Sequence, residues 1–107
     1  MRWNIIAFLS SLALLSNGAG AEELLGDPDA GRRMAEDVCS ACHVIAQGQA
    51  STTDVDAPTF TDLANTPRVT ALSLRVFLQT PHQRMPDLHL DREETDDMIA
   101  YILSLEE

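Results

Sequence analysis

Three stretches of the chain space their apolar residues as one face of a helix does. From about Asp29 to Cys42, the residues Met34, Ala35, Val38 and Cys42 recur three and four apart, which predicts a first helix. Asp27 or Asp29 can cap it, and Pro28 falls early, where its missing N–H is harmless. From about Thr70 to Thr80, Leu74, Phe77 and Leu78 make one apolar face, and Pro81 predicts the stop. The third pattern is the clearest, with Met98, Ile99, Ile102, Leu103 and Leu105 forming a wide apolar stripe towards the C-terminus. Asp91 followed by Glu94 has the form of a capping box, and the acidic turn from Glu93 to Asp97 suits the positive end of that helix dipole.

Residues 44–67 break the pattern. They are rich in Gly, Ser, Thr, Asp and Pro, and predict a long loop with one short helical turn around Phe60 to Leu63. Loops of this length are uncommon in small domains unless they serve a function, and wrapping the edge of a cofactor is one. The chain shows no internal repeat, low-complexity tract or β-hairpin signal. The expected fold class is all-α, with three main helices and long loops.

The N-terminus has the pattern of an export signal. Arg2 supplies an early positive charge, Ile5 to Leu15 form a short apolar core, and Ala19-Gly20-Ala21 fits an A-x-A cleavage site. The apolar core falls short of the ~20 residues that a membrane-spanning helix needs, which disfavours an uncleaved anchor. Residues 1–21 are therefore expected to be a signal peptide and 22–107 a single exported domain, located in the periplasm, with no membrane span after cleavage. A domain this small buries little apolar surface and usually needs a staple.

The formal net charge is −10, and becomes −11 once Arg2 leaves with the signal. Every cationic side chain is an arginine, and lysine is absent. Nucleic acid and anionic membranes are poor partners for such a surface. A docking protein is expected to present a basic or largely apolar surface, and the chain is expected to be a monomer. Much of the acid also serves solubility.

Cys39-Ser40-Ala41-Cys42-His43 carries the chemistry, and these are the only two cysteines. Two thiols three positions apart, with an imidazole directly after the second, match the motif that attaches c-type haem. Each thiol can add across a haem vinyl group as a thioether, which places His43 under the iron as an axial ligand. In an exported chain the same thiols could instead close a small disulfide. Met85, in an irregular segment between Pro81 and Pro86, is the leading candidate for the second axial position. Met34 and Met98 sit on helix faces and read as core filler. His82 and His89 compete with Met85, and imidazole in its place would lower the reduction potential.

Taken together, the mature chain resembles a small class I bacterial cytochrome c with one haem. The resemblance is carried by Cys39-Ser40-Ala41-Cys42-His43, by Ala57-Pro58-Thr59-Phe60, by Leu78 to Pro86, and by Ile99-Ala100-Tyr101-Ile102-Leu103-Ser104-Leu105. It implies terminal helices that cross near Gly31 and Tyr101, with a third helix supporting the haem. It also implies that the Pro58 carbonyl accepts a hydrogen bond from the second ring nitrogen of His43, fixing the ring and raising its donor strength. Ala57 stands where the family often has glycine. With no tryptophan in residues 22–107, Arg68, Arg75 and Arg84 are candidates to hold the haem propionates. The lysines that many cytochromes c use for docking are missing.

The resulting expectation is a periplasmic one-electron carrier, not an enzyme, holding covalent haem c and its iron. Other readings are a haem peroxidase or small-molecule sensor with a labile Met85, a thiol–disulfide protein using Cys39 and Cys42, and a zinc site completed by His82 or His89.

Overall fold

Asp27 opens the first helix, and its carboxylate accepts the Asp29 N–H at 2.9 Å. With Pro28 at its first position, α1 runs Pro28–Asp37. These and the distances below come from a computed structural model that describes residues 24–52 and 54–107. The expected signal peptide, residues 1–21, lies outside the described residues.

The apolar pattern carries the first helix on to Cys42, but the structure ends it at Asp37 and turns the chain into a short 3₁₀ segment, Cys39–Ala41. Ser40 supplies the reason. Its hydroxyl donates to the Glu36 carbonyl at 2.6 Å, the acceptor its own N–H would need to continue the helix. The Cys42 and His43 N–H groups then both turn back to the Cys39 carbonyl, at 3.1 and 2.9 Å.

The later helices begin where their caps place them. Thr59 accepts the Asp62 N–H at 3.0 Å and starts α2, Phe60–Ala64, where one helical turn is expected. Thr70 and Ser73 cap each other reciprocally at the start of α3, Ala71–Leu78. The Asp91–Glu94 box forms as its sequence predicts, at 2.8 and 2.9 Å, and α4 runs Arg92–Leu103. Each such cap is worth about 1 kcal/mol. Among the described residues there is no strand, in keeping with the expected all-α class. No helix there is long and apolar enough to cross a membrane.

Helices α1, α2 and α3 all pack on α4. At the α1–α4 crossing a Cβ on Gly31 would lie 2.0 Å from the Asp97 carbonyl oxygen and 2.8 Å from the Tyr101 Cβ. Only glycine allows the backbones to come this close. The Asp27 N–H adds a bond to the Asp97 carboxylate at 2.7 Å. Ala35, Met98, Ile99, Tyr101 and Ile102 continue the core, joined by Phe60, Leu74 and Ile45. Tyr101 donates its buried hydroxyl to the Ile45 carbonyl at 2.7 Å, so the loop after the cysteine motif is pinned to α4. No buried side-chain polar atom among the described residues lacks a partner.

Candidate haem site

The 3₁₀ turn and the long loops open one cleft beside α4. Cys39, Cys42, His43, Pro58 and Met85 all line it, although they come from three separate segments. Buried Phe60, Leu74, Met98 and Ile102 form part of its wall, while Val38 and Phe77 line it as half-exposed side chains. Its volume is about 500 Å³, within the roughly 300–1,000 Å³ typical of cofactor sites. A predominantly apolar cleft with two thiols and an imidazole at one side fits a flat, largely apolar macrocycle bearing vinyl groups and an iron.

His43 is held by its surroundings. Its Nδ1 lies 2.7 Å from the Pro58 carbonyl oxygen, which fixes Nδ1 as the protonated nitrogen and leaves Nε2 as the donor. The ring also packs on Phe60 at a centroid distance of 5.4 Å, and Phe60 in turn on Tyr101 at 6.2 Å. Pairs like these contribute ~1 kcal/mol beyond their burial and limit rotation of the imidazole.

The backbone around the motif is braced by side chains that the sequence patterns do not single out. Gln49 donates to the His43 carbonyl at 3.0 Å and accepts the Ile45 N–H at 2.9 Å. Thr52 donates its hydroxyl to the Cys42 carbonyl at 2.8 Å. Lone polar residues in a polar loop carry no periodicity, so the only sequence signal for them is the unusual length of that loop.

The two competing histidines are placed differently from each other. His82 borders the cleft, but its ring stacks on Phe77 at 3.7 Å and its Nε2 lies 3.0 Å from the Phe77 carbonyl oxygen. His89 is exposed beside Asp87 and does not line the cleft. Of the three arginines expected near the propionates, Arg68 and Arg84 line the cleft, whereas Arg75 pairs with Asp96 on α4. Arg84 pairs with Asp56, which also lines the cleft, at 2.8 Å.

The readings without haem do not fit this geometry. Burial pushes the Cys39 thiol up to about 11, opposite to the lowered value that makes a redox thiolate reactive. Among the described residues no group of three or more His, Cys, Asp or Glu side chains is placed to hold a metal ion.

Comparison with known proteins agrees. Residues 28–106 match the Cytochrome c family. The chain is 39% identical over 94 residues to Cytochrome c-552 of Bradyrhizobium diazoefficiens, a match covering 88% of each protein. No solved structure matches the chain. With covalently bound haem c and iron as its cofactor, and electron transfer rather than enzymatic turnover as its activity, the chain belongs to the cytochrome c family.

Proposed function

We propose that the mature chain, residues 22–107, is a periplasmic carrier that moves single electrons between respiratory or dehydrogenase partners. Cys39 and Cys42 are the thioether anchors, His43 is the proximal iron ligand oriented by the Pro58 carbonyl, and Met85 is the distal ligand. The observation that carries this reading is the convergence of these five residues on one apolar cleft, with His43 Nδ1 already 2.7 Å from the Pro58 oxygen.

Haem supplies the one-electron couple, and the chain keeps its environment constant. The Pro58 carbonyl holds the His43 ring, Gln49 and Thr52 hold the backbone beneath it, and the apolar wall excludes water. Prolines on both sides of Met85 restrict its segment and favour a fixed thioether. Export rests on the pattern of residues 1–21. The net charge allows a partner that presents a basic or an apolar surface.

The test is a pair of absorption spectra, oxidised and reduced, of protein matured with haem-attachment machinery. A sharp low-spin reduced spectrum and a weak sulfur-to-iron charge-transfer band in the oxidised form are expected. A haem spectrum without that band would remove Met85 from the iron.

A further inference from the structure

Residues 79–91, between α3 and α4, carry Met85 and form no helix. Among the described residues no backbone–backbone hydrogen bond involves residues 81–90. His43 differs, because its own N–H bonds to the Cys39 carbonyl at 2.9 Å. Pro81 and Pro86 stiffen the backbone around Met85 but offer no N–H to anchor it. The hydrogen bonds that tie this segment to the helices must come from side chains.

Two such ties precede Met85. Arg84, its neighbour, reaches Asp56, but with side chains 75% and 62% exposed the pair is screened by salt and contributes little. His82, three residues before Met85, is held more firmly. Its ring stacks on Phe77 at a centroid distance of 3.7 Å with 15° between the planes, and its Nε2 lies 3.0 Å from the Phe77 carbonyl oxygen. Phe77 belongs to the last turn of α3, where carbonyls lack helical partners, and α3 packs on α4. A carbonyl only accepts, so Nε2 carries the proton and has no lone pair for a metal while this bond stands. His82 therefore acts on the cleft through the segment it holds.

We propose that His82 is the positioning residue for Met85, latching the segment that carries the thioether to the end of α3. This deepens the reading of Met85 as the distal ligand and rests on it. Three peptide units separate the two residues, so a closed latch keeps the Met85 Cα within about 10 Å of that of His82. Released from Phe77, the segment has only the exposed Arg84–Asp56 pair and the contacts of its own side chains to keep Met85 at the cleft. Groups that orient a metal ligand from behind affect how long that ligand stays on the metal.

The test mixes the ferric holoprotein with saturating cyanide in a stopped-flow spectrometer, where the limiting rate reports departure of Met85 from the iron. His82→Ala is expected to raise that rate about tenfold. His82→Gln, which keeps a donor for the Phe77 carbonyl, should recover most of the difference. Asp56→Asn should change the rate by less than about twofold. Gly31→Ala, which strains only the α1–α4 crossing, should leave it unchanged. An unchanged rate in His82→Ala, or a larger effect from Asp56→Asn, would overturn the proposal. So would an equal rise in Gly31→Ala, because the rate would then follow global stability. The reading of Met85 is checked separately by Met85→Ala. A parent that binds cyanide as fast as Met85→Ala removes Met85 from the iron, and this inference with it. A slow parent with an equally slow His82→Ala ends the latch alone.

Discussion

At the crossing of α1 and α4 the two backbones meet at Gly31 with no side chain between them, whereas the walls of the cleft stand apart around about 500 Å³. The crossing is complete in itself. Its polar groups are paired and its apolar groups buried, and the Asp27–Asp97 and Tyr101–Ile45 bonds reach across long sequence separations. The cleft side is built differently. Its irregular segments are tied by short polar links such as Gln49–His43 and Thr52–Cys42, and its apolar Val38 and Phe77 remain half-exposed. One half of the molecule is therefore specified by chain packing against chain, and the other, on the proposed function, by packing against the cofactor.

The strongest break of this contrast removes the cofactor. Replacing Cys39 and Cys42 with alanine should leave no haem that survives denaturation. Hydrogen exchange should then become fast in residues 44–59 and 79–91 while α1 and α4 keep more protection. Equal loss across both halves would end the distinction. Gly31→Ala attacks the other half, driving a methyl group into the Asp97 carbonyl. It should cost about 3 kcal/mol in denaturant unfolding of the holoprotein, with the spectrum unchanged.

Met85→Ala acts only on the cleft. Haem should stay attached, the potential should fall by on the order of 0.1 V, which is about 2.3 kcal/mol per electron, and cyanide or carbon monoxide should bind. An unchanged potential in voltammetry would show that Met85 is not the ligand. Tyr101→Phe joins the halves less tightly, leaving the Ile45 carbonyl without its donor, and should destabilise by about 1.5 kcal/mol.

The smallest effect is a pH dependence of the same tyrosine. Burial raises its phenol above the ordinary 10.0, so the folded state holds the proton more tightly than the unfolded chain does. The resulting stability is complete below pH 10, and is lost as pH rises through that value towards the raised folded one. Unfolding midpoints followed upward from pH 8 should fall more steeply in the parent than in Tyr101→Phe.

The sequence reveals these two halves unequally. The Asp91–Glu94 box and the stripe of α4 are local patterns, and both form as the residues predict. The Gly31–Tyr101 approach follows from family resemblance and is visible in the structure as a close backbone contact. The end of α1 is not legible in the apolar spacing, because one Ser40 hydroxyl outcompetes a continuing helix. Gln49, Thr52 and the Arg75–Asp96 pair are equally hidden, since each depends on where a distant backbone or carboxylate arrives after folding. The chemistry-bearing residues were legible because haem attachment needs a fixed local spacing. Their bracing was not, because it is tertiary.

The unequal setting of the two cysteines has a consequence for biogenesis. Cys39 is half-buried with its proton held tightly, while Cys42 is exposed. In a chain that folds before loading, one proposed anchor remains accessible to maturation enzymes while the other retreats against the core. On the proposed attachment, haem is expected to load faster onto the unfolded chain, where both thiols are open, than onto the folded one, and the thioether yield from each would show it.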